Sequence, residues 1–393
     1  MIRPATSQNG PLFKGFGGAG RRLGSRNHLL VLNATGLTEQ IARRIAAALP
    51  GAVFASYPYG MGVVGADADA ARRALAGLAT HPNTGAVLVI SADRSRLEEI
   101  TARLDETPTP YEAYAFDDVA HDALRLTALG IEAGARLRHA ASRRERHYAA
   151  MSDLVVALQC GLSDPTSGIA ANPLIGHLAD RVIDSGGTVI MGETLEWLGV
   201  EDQLAARART PDIANRIEQA VTRREALAVA NGIDLAGINP NRRNIEEGLT
   251  TIEEKASGSA AKSGRHPVEG VLDYAQPPAH PGLWLMDGAS YTPESLTGLI
   301  AAGAQVALFS TGSGNSYASA LCPTIKISAN AGTVAALPTQ IDFDASALMD
   351  GGDADTLADA LLSELIATVN GALTWAEVTG EGNEVISRYG EAL

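Results

Sequence analysis

The chain has 393 residues, of which 46% are hydrophobic and 19% charged, with a formal net charge of −14. That length exceeds what one core organises, so two domains are expected, and the negative charge gives no electrostatic reason to bind nucleic acid or an anionic membrane. Cys160 and Cys322 stand far apart without CxxC spacing, which argues against a disulfide framework or a cysteine-only zinc site and suits a reducing cytoplasm.

The N-terminus is Gly-rich and basic, without the apolar region of a signal peptide, and no later stretch is apolar for the length of a bilayer. A buried-type strand follows at His28 to Asn33, then a helix from about Thr38 to Leu49. Strands at Ala52 to Tyr57, Ala86 to Ser91 and Tyr111 to Phe116 alternate with helices at Asp67 to Ala79, Ser95 to Leu104 and from Asp118 onward. Short apolar strands alternating with periodic helices indicate parallel sheets covered on both faces. The charged run Ser142 to Arg146 closes this unit, which gives domains over 1–148 and 149–393.

The second unit repeats the rhythm: Leu154 to Leu158, a helix that Asn172 caps ahead of Pro173, Thr188 to Met191, and a helical region to about Asn231. After an interruption come Leu283 to Met286, a helix from Pro293 to Ala302, Gln305 to Phe309, Thr324 to Ser328 and a last helix from Ala354 to Asn370. The fold class is α/β, with two Rossmann-like units, mainly parallel sheets and a long functional loop in the second. That loop, Gly237 to Pro267, interleaves cations and carboxylates and holds few apolar residues, so it reads as an ordered functional loop rather than a core element.

Ligands bind outside the carboxyl ends of parallel strands. The turns Cys160 to Gly168, Gly192 to Glu196, Asp287 to Tyr291 and Thr311 to Ser316 all follow such ends. Glu193 and Glu196 suit metal ligands or an acid/base pair, or simply helix N-terminal acids. Thr311, Gly312, Gly314 and Asn315 suit an anion nest or a plain tight turn. Cys160 suits a soft metal ligand or a small buried hydrophobe. Thr251 and Glu254 make a capping box, while Lys255, Lys262 and Arg265 suit a carboxylate substrate, with Lys255 or Glu254 as a base. The histidines form no HxH or HExxH pattern, and no strand leads into GxGxxG, so neither a standard zinc site nor a nucleotide cofactor is expected.

The runs Cys160-Gly-Leu-Ser-Asp164, Ala171-Asn-Pro173, Gly192-Glu-Thr194 with Glu196, Asn239-Pro240, Gly248-Leu-Thr-Thr251-Ile-Glu-Glu-Lys255, Lys262-Ser-Gly264, Thr311-Gly-Ser-Gly-Asn315 and Pro323-Thr-Ile-Lys326 resemble the altronate/galactarate dehydratase family, which includes the large subunit of sulfolactate sulfo-lyase. The resemblance implies elimination of water, or of sulfite in that branch, from a hydroxy acid with a divalent metal, Fe(II) or Mn(II). On that footing Glu193, Glu196, Lys255 and Glu254 are the catalytic candidates. Asn239, Thr250, Thr251, Lys262, Arg265, Thr311, Gly312, Gly314, Asn315 and Lys326 are substrate-binding candidates, and Cys160, Asp164 and Glu193 metal candidates. A small SAF-domain subunit is the implied partner, absent from this chain, and a homo-oligomer is expected. Two departures stand out: the family's His-Gly-Cys-type turn reads Ser56 to Gly62 here and its Cys-Glu turn reads Ser91 to Arg94, so of three associated cysteines only Cys160 remains. A divergent homologue that binds a sugar acid or a partner without catalysis is therefore the alternative.

Overall fold

The computed structural model describes residues 6–7, 10–18, 21–235, 238–390 and 392. The chain opens with strands β1 (Thr6–Ser7), β2 (Gly10–Gly18) and β3 (Arg21–Gly24), which pair antiparallel. Glycines hide these strands from propensity reasoning. What holds β2 is residues 146–150, which pair along it far downstream in sequence.

Next come β4 (His28–Asn33), α1 (Glu39–Ala48), β5 (Ala52–Ser56), α2 (Gly65–Ala79), β6 (Thr84–Ser91), α3 (Arg94–Leu104), β7 (Tyr111–Ala115) and α4 (Ala123–Ala141). The four strands form a parallel sheet in the order β5-β4-β6-β7. Every residue of β6 is buried, as its unbroken apolar run requires of a strand covered on both faces. Helix α4 starts later than Asp118: a 3₁₀ turn over Phe116–Val119 ends with Ala120 and His121 at positive φ, and Asp122 then caps α4 by accepting from the Leu124 and Arg125 amides.

After β8 (Arg146–Ala150), the partner of β2, the second sheet begins. Its elements are β9 (Val155–Cys160), α5 (Asn172–Asp184), β10 (Thr188–Met191), α6 (Glu201–Ala205), α7 (Pro211–Ala230), α8 (Arg242–Glu246), α9 (Ile252–Ala261), β11 (Val268–Leu272), β12 (Gly282–Met286), α10 (Thr292–Ala301), β13 (Val306–Ser310), β14 (Thr324–Ser328), α11 (Ala331–Ala336), β15 (Phe343–Asp344), α12 (Ala354–Val369) and α13 (Trp375–Thr379). All seven strands are parallel, in the order β11-β12-β10-β9-β13-β14-β15. The α/β architecture with large parallel sheets is the one expected.

Three local expectations change. Asn172 is not a cap: a π-helical turn over Ser167–Ala171 runs straight into α5, and the Asn172 amide donates instead to the Gly258 carbonyl. Strand β11 was not anticipated. The stretch from Gly237 to Pro267 carries two helices, α8 and α9, that make up about half of it, with Gly237 itself outside the described residues. Two capping boxes, Asn241 with Asn244 and Thr251 with Glu254, start α8 and α9. No helix among the described residues is long and apolar enough to cross a membrane.

Candidate active site

The chain leaves β9 to build β10 on one side and β13 on the other, so the carboxyl end of β9 lies at a topological switch point, where open parallel sheets form a crevice. Cys160 ends β9, and the turn after β10 carries Glu193 and Glu196. Glu193 has φ +62°, a left-handed conformation that a residue with a side chain seldom takes and that tends to mark functional positions. Helix α9 closes the crevice. Lys255, Ser259 and Lys262, spaced four and three residues apart, share one of its faces. The helix sits so close to the turn before α5 that a Cβ on Gly258 would stand 2.8 Å from the Cα of Gly168. That backbone approach brings Lys262 down to Cys160.

There the Lys262 ammonium donates to Glu196 Oε2 at 2.6 Å and to Cys160 Sγ at 3.1 Å, while the Cys160 thiol lies 3.0 Å from Glu196 Oε1. Lys262 and Glu196 are both almost wholly buried, so their ionic pairing must offset a large desolvation cost. Burial raises the Glu196 carboxyl, but the Lys262 charge and hydrogen bond outweigh it and hold the group below its ordinary value. Glu193 goes the other way: burial first, then the Glu196 charge, push it up to about 8. Burial and Glu196 likewise push the Cys160 thiol up to about 11, so it is a protonated thiol rather than a nucleophile. On Lys262 burial acts against the charge, yet Cys160 and Glu196 hold it above the ordinary lysine value.

Gln159 was missed by the sequence reading, although a glutamine in an otherwise apolar, fully buried strand is itself a signal. Its amide donates to Glu193 Oε1 at 2.8 Å and its carbonyl accepts from Ser295 Oγ at 3.0 Å, a chain that fixes the Glu193 side chain. The bond from Gln159 favours ionised Glu193. Replacing it by the similarly sized Met is therefore expected to raise the Glu193 pKa and move the alkaline limb of the pH–rate profile upward, with little change in KM.

Lys255, half-buried beside these groups, donates to Asn239 Oδ1, and Asn239 donates to the Leu195 carbonyl at 2.7 Å. Its charge reaches both Glu193 and Glu196. The amide of Asn315 packs over Gly161, where a Cβ would meet its Nδ2 at 2.7 Å. Cys160, Glu193, Glu196, Lys255, Lys262, Asn239 and Asn315 are thus brought together.

Others are placed elsewhere. Glu254 is exposed and accepts from the Thr250 amide and hydroxyl and from the Thr251 amide, so it and both threonines serve the start of α9. Glu254→Ala is expected to lower thermal stability while leaving turnover per folded molecule unchanged, as measured by scanning calorimetry beside initial rates. Arg265 is exposed and pairs with Asp180, while Lys326 donates to the Ser316 carbonyl at 2.8 Å and to Glu381 at 3.3 Å, so neither reaches the cluster as a carboxylate clamp. The Thr311 to Asn315 turn is not an open nest: the Gly312 and Ser313 amides both donate to the Leu162 carbonyl, and the Gly314 amide donates to Thr311 Oγ1. Its tight glycine faces Asp164, whose carboxylate is occupied by Ser167, Thr166 and Asn330.

Cys160, Asp164 and Glu193 do not converge as metal ligands in this arrangement. Among the described residues no three His, Cys, Asp or Glu side chains are set to hold a metal ion, and the cation filling the cluster is the Lys262 ammonium. The residues as placed do not fit a divalent metal.

Residues 15–142 match the family described as D-galactarate dehydratase/altronate hydrolase, second domain, and residues 151–391 match D-galactarate/altronate dehydratase, C-terminal. The chain belongs to the D-galactarate/altronate dehydratase family. It is 34% identical to the (2R)-sulfolactate sulfo-lyase subunit beta of Chromohalobacter salexigens over 98% of its own length and 99% of that protein. It is 30% identical to the altronate dehydratase of Escherichia coli over 90% of its length and 73% of that enzyme, and 28% identical to the altronate dehydratase of Bacillus subtilis over 86% and 69%. The family membership and the lyase class inferred from the motifs both agree with these relatives.

Proposed function

We propose that the chain is a hydro-lyase that removes water from a sugar acid of the altronate or galactarate type and yields a 2-keto-3-deoxy acid. The observation that carries this reading is the buried pair Glu193 and Glu196 at one strand end, with protonation driven apart, which is how acid and ionised roles are separated between two carboxylates. In the reaction the C2–H bond breaks and its electrons form the C2–C3 double bond. The C3–O bond breaks, the oxygen leaves as water with a proton from the enzyme, and the resulting enol tautomerises to the 2-keto acid.

Lys255 is the group placed to take the C2 proton. Of the cluster's charged groups it alone is half-exposed, and Asn239 fixes its amine. Glu193, neutral at pH 7, is the acid that protonates the departing oxygen. Lys262 keeps Glu196 ionised, so that the one carboxyl proton of the pair stays on Glu193. Asn315 supplies an amide for the substrate's polar groups. Lys255→Ala is expected to abolish exchange of the C2 hydrogen with deuterated solvent in folded protein; exchange at the normal rate would remove Lys255 from this role.

A second reading has its own support. The match to the sulfo-lyase subunit runs end to end, whereas the altronate dehydratases extend beyond the chain. There the C3–S bond would break and sulfite leave. That relative's name, subunit beta, also supports a partner, which in this chain would be a small SAF-domain subunit, and two free buried cysteines suit a cytoplasmic setting.

Anaerobic turnover of altronate, galactarate and sulfolactate, with and without Fe(II) or Mn(II) and with and without the small subunit, tests both readings. Keto acid without sulfite supports the hydro-lyase. Sulfite moves the chain to the second reading, and neither product from folded protein in any condition overturns both in favour of binding without catalysis.

A further inference from the structure

A cavity of about 640 Å³ lies away from the cluster. It lies where the two parallel sheets' helices meet, under α2, α3 and the end of α10, and it is reached by segments that lead into strands: 80–82 before β6, 107–109 before β7 and 301–303 before β13. Because β13 is parallel to β9, the cavity stands at the amino end of the sheet whose carboxyl end carries Cys160 and Glu193. It is a separate place.

Its walls carry six arginines, Arg21, Arg22, Arg72, Arg73, Arg96 and Arg103, against two carboxylates, Glu99 and Glu106. That concentration of positive groups runs against the net charge of the chain, −14. Carboxylates answer only part of it: Glu99 pairs with Arg96 at 2.8 Å and stands 4.0 Å from Arg72, Asp69 pairs with Arg72 at 2.7 Å, and Glu106 pairs with Arg103 at 3.2 Å. Among the described residues, Arg73 donates to the Tyr274 carbonyl and Arg21 to the carbonyls of residues 81, 82 and 84. Two donors, Arg21 Nη1 and Arg96 Nε, are buried with no hydrogen-bond partner among the described residues, and Arg96 is itself 3% exposed. A buried guanidinium nitrogen left unpaired is costly, and groups of this kind call for an unseen acceptor. Between the arginines the walls are apolar, with Leu75, Ile100, Ala301 and Pro277.

We propose that this cavity is a second ligand site, for a small organic anion that carries two or more phosphate or carboxylate charges on an uncharged body. Guanidinium forks hold either oxyanion bidentately, the apolar wall takes the body, and the volume is that of an ordinary small-molecule pocket. Because Arg21 and Arg22 come from β3 while Arg72, Arg73, Arg96 and Arg103 come from α2 and α3, the ligand would tie the N-terminal hairpin to the first sheet's helices.

Calorimetric titration of the full chain with pyrophosphate, ATP, tricarballylate and, as a neutral control, adenosine tests the site. Tricarballylate lacks a hydroxyl and so is no substrate mimic for the cluster. The expected result is saturable binding of at least one polyanion and none of adenosine, weakened about tenfold or more in the doubly substituted Arg72→Gln, Arg103→Gln protein, as for lost charge-assisted contacts. Both side chains are exposed, so the variant is expected to fold, and its thermal midpoint without ligand checks that. Preference for pyrophosphate and ATP identifies phosphate as the recognised group, and preference for tricarballylate identifies carboxylate. No binding of any polyanion, or binding unchanged in the double variant, overturns the proposal.

Discussion

Lys262→Met is expected to cut turnover by about 10²–10³-fold, the scale on which a preorganised charge at a reacting centre acts. Removing the ammonium leaves Glu196 buried beside Glu193 without its hydrogen-bonded cation and with only the Lys255 charge to answer it, and breaking one side of a buried ion pair costs about 3–5 kcal/mol. Glu196 has its folded pKa depressed, so its contribution to stability is present above its unfolded value and is lost as pH falls through the folded one. In the variant that contribution disappears and Glu196 takes up a proton. Urea unfolding at pH 7 and at pH 4 reads the effect: the gap between wild type and variant is expected to shrink at the lower pH. Adding Glu196→Gln to the variant is expected to restore much of the stability and none of the activity, which separates folding from chemistry in one cycle. Turnover preserved in Lys262→Met would remove the pair from the mechanism.

Glu193→Gln is expected to lower kcat by about 10²–10⁴-fold if water is the leaving group, because hydroxide leaves only when protonated and a positioned acid contributes on that scale. The fold is expected to survive, since Gln is isosteric and its amide can still meet Gln159. In the wild type the active form carries the Glu193 proton. Activity is therefore present below about pH 8 and falls as pH rises through it. The variant loses that limb. Sulfite is stable without a proton, so in a sulfo-lyase the same substitution would do far less harm. The size of the Glu193→Gln effect thus reports the leaving group independently of any product assay.

Much of this arrangement was legible in the sequence because it rests on local rules. The apolar runs of β6 and β9 could only be covered strands, and polar turns after such strands could only lie at one sheet edge, which located Cys160, Glu193 and Glu196. The capping box of Thr251 and Glu254 was equally local. What sequence could not supply was partnership. Lys262 and Arg265 are alike as nearby cations in one segment, and only the docking of α9 through Gly258 and Gly168 buries the first and leaves the second to Asp180. The glycine turn at Thr311 to Asn315 has the composition of an anion nest, but its amides are consumed by Leu162 and Thr311, contacts that depend on how two distant turns meet. Strands β2 and β8 exist because they find each other, not because either is a strong strand former.

Cys160, Glu196 and Lys262 reach their common point from positions 36, 66 and 102 residues apart in the chain. Loop closure on that scale carries an entropic cost that only the completed sheet can offset, so the cluster assembles late. During refolding, helix content is expected to return before the ion pair does. Any fragment of the chain that stops short of α9 has all of β9 and β10 yet no counter-charge for Glu196, and a nascent chain emerging from the ribosome passes through that state every time it is made.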